Sequence, residues 1–191
     1  MKTDSKTPWI VCGYQTFAKE GPNGLKIEVI AREVNKNKSS FYHHFADLNI
    51  FMEVLLDYHM ERAKIISSQE ALCKNVVPDL LNLLVTIKTD LLFNRQLRIN
   101  RTNEQFKSCF QKSSRMVGES ILDIWAEMLG LTDNSDLARM VLNLSIENFY
   151  LQITEETLTY EWLENYMAEL KNMSEEFNKN VTRQAVLNGS V

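Results

Sequence analysis

The sequence predicts an all-α protein, and three observations carry that expectation. Apolar residues recur at three- and four-residue steps through most of the chain, the spacing of one helix face. Only three prolines and six glycines occur, which suits helices joined by short connections. No alternating run is long enough for a strand, and Val76-Val77 is too brief to make one. The 45% apolar fraction supports a real core rather than a disordered chain. Eight or nine helices are expected, with no internal repeat.

The first helix is expected from about Pro8 to Glu20. Proline suits a first turn because it has no N–H to lose there. Ile10, Tyr14, Phe17 and Ala18 make its inner face, and Gly21-Pro22-Asn23-Gly24 stops it. Ile27, Ile30, Ala31 and Val34 mark a second helix. Asn35-Lys36-Asn37 breaks it: Asn35 tolerates a left-handed turn, and Asn37 can cap the next helix. That third helix is short, expected over 38–45, with Phe41 and Phe45 inward.

Asp47 reads as the cap of a fourth helix to about Ser67, with Leu48, Phe51, Met52, Leu55, Leu56, His59 and Ala63 on one stripe. A fifth starts near Pro78 and carries Leu80, Leu81, Leu84, Ile87 and Leu91, while residues 94–101 form a short helix or a loop. A long helix comes next, from about Thr102 to Gly130. Gly118, which costs about 1 kcal/mol relative to Ala, marks a bend or a close helix contact in it. The next helix spans about 135–155 with Leu137, Met140, Val141, Leu144 and Leu151 inward, and the last spans about 160–178.

Charge divides the chain unevenly. Residues 1–46 hold seven Lys/Arg against four Asp/Glu, a net of +3, and residues 47–191 hold 14 against 21, a net of −7. A basic N-terminal quarter can lean on phosphates while the acidic remainder stays clear of them. Domains are therefore expected at 1–46 and 47–191. Cys12, Cys73 and Cys109 lack paired spacing, which argues against a disulfide framework or a zinc module. The start MKTDSKTPWIV has no apolar signal core, and no run of about 18 apolar residues occurs, so a cytoplasmic protein with no membrane partner is expected. His43 and His44 are adjacent and point roughly 100° apart on a helix, so they make no metal face. No nucleophile–base set, Gly-rich phosphate loop or carboxylate pair stands out, so neither catalysis nor a cofactor is expected.

Residues 25–45, LKIEVIAREVNKNKSSFYHHF, read as a helix-turn-helix whose second helix exposes donors rather than a salt-bridged polar face. Double-stranded DNA is the partner this implies. Lys26, Lys36, Asn37, Lys38, Ser39, Ser40, Tyr42, His43 and His44 are the candidate DNA contacts, with Lys6 and Thr7 as secondary phosphate candidates.

Three motifs in order make the chain resemble the TetR (tetracycline repressor) family of one-component regulators. Phe17-Ala18-Lys19-Glu20-Gly21 is similar to that family's F-A-x-x-G, and Val29-Ile30-Ala31-Arg32-Glu33 to its aliphatic-x-x-I-A. Ser40-Phe41-Tyr42-His43-His44-Phe45 is similar to its [TS]-[LF]-Y-x-[HY]-F. About 50 residues carry the resemblance. The chain departs from it at Asn35-Lys36-Asn37, where Gly-Val-Ser is usual, at Ser39 in place of Gly, and at Leu48 in place of Lys.

The resemblance implies a helical C-terminal domain that pairs with a second copy and senses a small molecule. It makes Tyr42 a phosphate contact. It places Phe149, Tyr150, Trp162, Tyr166, Met167 and Met173, on the last two helices, at a homodimer interface. An unknown effector, flat or lipophilic, is expected among Met52, Leu56, His59, Phe106, Phe110, Trp125 and Asn148. The function implied is a ligand-responsive repressor on a near-palindromic operator. Two rivals stand beside it: a regulator whose C-terminal domain binds a protein, and a helical enzyme or lipid carrier.

Overall fold

Nine α-helices and no strand occupy residues 6–188, the residues described by the computed structural model, with side chains described through residue 177. The N-terminal unit holds α1 (Thr7–Glu20), α2 (Ile27–Glu33) and α3 (Lys38–Tyr42). Gly21, at φ 70°, ends α1 by donating its N–H to the Phe17 carbonyl at 2.8 Å. Phe41 of α3 is fully buried in an aromatic cluster, 5.5 Å from Trp9, 5.1 Å from Phe45 and 5.2 Å from Phe51. These tilted and edge-on rings fix α3 against α1 and the start of the next helix. Trp9, 1% exposed, belongs to this core although the spacing of α1 suggested Ile10. Gly13 permits the close approach: a Cβ there would lie 2.4 Å from Phe51 Cζ.

The rest of the chain is a helical body. α4 (Leu48–Glu70) is capped by Asp47, whose carboxylate accepts from the Ile50 N–H at 2.9 Å. A wide turn at Val76–Leu80 leads into α5 (Leu81–Thr86) and α6 (Lys88–Ile99). α7 (Glu104–Leu129), α8 (Ser135–Gln152) and α9 (Tyr160–Asn188) complete it. Asn103 and Asn134 cap α7 and α8. α4 packs along α7, α7 against α8, and α1 against α6, so the N-terminal unit is seated on the body through α6. No helix among the described residues is long and apolar enough to cross a membrane.

Four element expectations change. The third helix ends at Tyr42, and His43 to Phe45 form its trailing turn. The expected fifth helix is two, broken at Ile87 (φ −103°, ψ 26°). There the Thr86 hydroxyl turns back onto the Leu83 carbonyl at 2.7 Å, a side-chain bond that competes with helical geometry. Residues 94–99 continue α6 rather than forming a separate segment, because Phe93 and Leu97 are fully buried and Asn94 and Gln96 nearly so. α7 runs unbroken through Gly118, where an added Cβ would stand 3.5 Å from Ile146 and 3.7 Å from Leu142 of α8, ordinary contact rather than an approach that needs glycine.

Candidate functional site

The turn between α2 and α3 is built from backbone chemistry that the sequence supplies. Asn35 takes φ 53°. Its N–H donates to the Arg32 carbonyl at 3.0 Å, and the Lys36 N–H donates to the Ala31 carbonyl at 2.8 Å. That pair of bonds is a Schellman ending, with asparagine in the left-handed position that glycine usually fills. Asn37 Oδ1 then accepts from the Ser40 N–H at 2.8 Å, capping α3. With Phe41 locked inward, the opposite face turns out. Lys26, Lys36, Asn37, Lys38, Ser39, Tyr42 and His43 are exposed, and Ser40 and His44 are half-buried. Tyr42 is 55% exposed, large for an aromatic residue. Lys6 and Thr7 are exposed at the start of α1.

One feature of this face corrects the sequence reading. Lys38 Nζ is ion-paired to Glu28 of α2, so the face carries a salt bridge rather than bare donors. Glu28, in the first turn of α2, stands across the turn from the first residue of α3. The lysine holds the Glu28 carboxyl below its usual range.

A cavity of about 70 Å³ lies inside the body, walled by the end of α4, by α7, α8 and α9, and by the segment running from Leu80 to Leu91. Its walls are largely aliphatic and aromatic. Of the seven residues expected to line a ligand site, only Trp125 lines this cavity. Met52 and Leu56 lie in the first half of α4, which packs against α1 and the start of α7, and Phe106 meets Phe17 at 5.5 Å in the same layer. Phe110 packs edge-on behind Tyr150 at 5.5 Å. Asn148 is exposed and accepts from Tyr166 Oη at 3.2 Å. His59 lies in a buried polar network that runs toward α1. Only Glu70, the last residue of α4, reaches the cavity.

The expected dimer residues are also redistributed. Phe149, Tyr150, Tyr166 and Met167 are buried within their own chain and line the cavity. Trp162 is half-buried and stacked on Tyr166 at 5.3 Å. Of the six, only Met173 is exposed. The apolar residues that do face outward on these helices are Leu137, Met140, Leu144 and Leu151 of α8, with Met173 and Phe177 of α9. Their spacing puts the four α8 residues inward, and the structure turns them out. Helical spacing finds a stripe on α8 but does not say which side of it the body covers.

Four buried side-chain polar atoms among the described residues lack a hydrogen-bond partner, and three of them belong to residues that line the cavity: Glu70 Oε1, Ser114 Oγ and Trp125 Nε1. Glu70 is 1% exposed. Its Oε2 accepts from Ser120 Oγ at 2.8 Å, and burial pushes its carboxyl up to about 7. A glutamate in a run such as Ser67-Ser68-Gln69-Glu70 reads as solvated in sequence, and no local signal marks it otherwise.

A polar network joins this cavity wall to α1. Asn94 Nδ2 donates to Tyr150 Oη at 3.2 Å, so Asn94 Oδ1 is left to accept from Ser113 Oγ at 2.9 Å and from His59 Nε2 at 3.0 Å. His59 Nδ1 is then an acceptor for Tyr14 Oη at 2.6 Å. Tyr14 also points its hydroxyl at Asp90 Oδ1, 2.9 Å away, so a single proton faces two acceptors. Arg62 closes the end with a two-pronged contact, Nε to Asp90 Oδ1 at 2.9 Å and Nη2 to Oδ2 at 2.8 Å. Burial lowers His59 to about 4 and keeps it neutral, and it raises Tyr14 well above the usual phenol range. Of these residues, the sequence suggested only His59, for a ligand site, and Tyr150, for a dimer interface.

Cys12, Cys73 and Cys109 are free thiols. Among the described residues, no group of three or more His, Cys, Asp or Glu side chains is placed to hold a metal ion. A scan against protein-family models finds none that matches the chain, and no curated protein matches it.

Proposed function

We propose that the chain is a ligand-responsive, DNA-binding transcriptional regulator of the TetR type, a repressor that leaves a near-palindromic operator when a small lipophilic molecule enters its C-terminal domain. One observation carries this reading. A capped helix-turn-helix, held from behind by an aromatic cluster, presents lysine, asparagine, serine, tyrosine and histidine on one outward face of a net-basic unit. In this reading α3 enters the major groove, and Lys38 exchanges Glu28 for a phosphate or a guanine edge. Tyr42 adds a phosphate contact.

Two further observations support the regulatory half. The body contains a cavity with polar atoms to spare, and the Asn94–His59–Tyr14 network runs from its wall to α1. A ligand that prefers one arrangement of this network shifts the balance between DNA-binding states, and one without a preference does nothing.

A five-residue recognition helix reads few base pairs, so a second copy is needed for a specific site. The outward stripe Leu137, Met140, Leu144 and Leu151, beside Met173 and Phe177, is the surface this reading gives to the two-fold partner.

Electrophoretic shift with DNA from upstream of the native gene tests the core of the reading. Binding is expected to weaken steeply with salt, and Lys38→Ala with Tyr42→Phe to reduce both affinity and salt slope. Unaltered binding by that double variant would remove the assignment of α3. Sedimentation equilibrium showing only monomer at micromolar protein would remove the dimer.

A further inference from the structure

Glu70 breaks three rules at once. It is an acid at the C-terminal end of a helix, where the helix dipole disfavours negative charge. It is almost wholly buried, yet among the described residues lining its cavity there is no lysine, arginine or histidine. One of its oxygens, Oε1, has no hydrogen-bond donor. Unpartnered polar atoms deep in a protein are uncommon, and here three come from residues around one apolar cavity. The three are chemically distinct. Glu70 Oε1 asks for a donor, the Trp125 indole N–H asks for an acceptor, and the Ser114 hydroxyl serves as either. Ser120 Oγ stands 2.8 Å from the other Glu70 oxygen, and its single proton faces both that oxygen and the Val117 carbonyl at 2.6 Å.

We propose that this cavity receives a small lipophilic organic cation, a primary amine on a body of one ring, whose ammonium group is paired by Glu70. The inference deepens the regulator reading and takes from it only that the cavity admits an effector. An ammonium group supplies the missing charge and the missing donor together. A charge-assisted bond among apolar walls is stronger than its equivalent in water. The aliphatic walls take the ring, and because about 70 Å³ is roughly half of the ~150 Å³ that encloses a benzene ring, the lining side chains must part to admit it, which rules out a large drug. An oxygen on the same molecule would satisfy Trp125 Nε1–H.

Because burial holds the Glu70 carboxyl at about 7, amine binding is coupled to its ionisation. The other titratable groups facing the cavity or Glu70 are Tyr150, Tyr166 and Cys73, all shifted upward and all neutral below pH 8. At pH 6 the amine should therefore displace nearly one proton, and at pH 8 almost none.

The test is isothermal titration of the full chain, without DNA, using three probes of one shape: 2-phenylethylamine, 2-phenylethanol and phenylacetate. At pH 8 the amine is expected to bind about tenfold or more tighter than the alcohol, with phenylacetate weakest. The preference should shrink as pH falls to 5.5, with proton release seen as a difference between buffers of unlike ionisation heat. Glu70→Gln should bind the alcohol as before and lose the preference for the amine. If that variant fails to fold, the wild-type pH series decides alone. An amine no tighter than the alcohol at pH 8, a preference independent of pH, a preference that survives Glu70→Gln, or no binding of any probe overturns the proposal. Amine binding that leaves the operator complex intact supports this site and removes its regulatory role. Absence of an amine preference in wild-type protein that still shifts operator DNA removes this proposal alone.

Discussion

Two ion pairs, one on α3 and one beneath α1, use the same chemistry in opposite settings. Lys38 and Glu28 are both more than half exposed, and water competes with their contact throughout. Arg62 and Asp90 are 30% and 7% exposed, and Asp90 also receives the Tyr14 hydroxyl. An exposed pair is loosely held and open to exchange, so its lysine can trade a carboxylate for a phosphate. A buried pair is costly to form but more costly to break, because removing one partner strands the other. The outer region is therefore built to change partners and the inner one to keep them.

The largest expected effect breaks the inner pair. Asp90→Ala strands the Arg62 guanidinium, leaves Tyr14 only His59 as acceptor, and should lower the unfolding free energy by about 3 kcal/mol, measured by urea denaturation. A loss no greater than that of an ordinary surface substitution would show that the network holds nothing together.

Next comes a pair of opposed pH dependences in the same region. His59 is lowered from 6.5 to about 4, so its contribution to stability is complete above 6.5 and is lost as pH falls through 4. Glu70 is raised from 4.5 to about 7, so its contribution is complete below 4.5 and is lost as pH rises through 7. In between the two slopes oppose each other. Glu70→Gln removes one of them, and the variant should gain on the order of 3 kcal/mol over wild type between pH 4 and pH 8. Parallel stability profiles for the two proteins would contradict the buried state of Glu70.

Gly13→Ala comes third. Alanine is the better helix former, but its methyl group would meet the Phe51 ring, so the variant should lose about 1–3 kcal/mol in thermal or urea unfolding. A gain would mean that α1 and α4 can separate without penalty.

The smallest stability effect belongs to the outer pair. Glu28→Gln should leave the urea midpoint unchanged and strengthen DNA binding in the shift assay, because Lys38 no longer has a carboxylate to leave. Weaker DNA binding by this variant would mean that Glu28 orients Lys38 rather than competing for it.

The same contrast separates what the sequence could reveal from what it could not. The turn was legible because its chemistry is local. Asn35 in a left-handed conformation and Asn37 as a cap are decided within three residues. Helix starts at Asp47 and Asn134 obey the same logic. The cavity was not legible, because its lining depends on how the helices pack on one another. That packing leaves His59, Leu56 and Phe106 away from it and brings Glu70 to it. α8 fails for a related reason. Its spacing marks an apolar stripe through Leu137, Met140 and Leu144, but only the packed structure says that the stripe faces out. Asp90 and Asn94 read as surface residues until their partners on α1, α4, α7 and α8 are in place.

The missing side chain at Gly13 also governs how α1 can travel. With the Phe51 ring filling the space where a Cβ would stand, the two helices meet as a notch on a peg. Rotating α1 by one residue, about 100°, would bring Cys12 or Tyr14 over that ring and push the helices apart. α1 therefore has no axial freedom of its own against α4. Phe41 and Phe45, packed on the same Phe51 ring, tie α3 to that peg as well. The outward face of α3 takes its bearing from the first turns of α4, and whatever tilts that end of α4 aims the face.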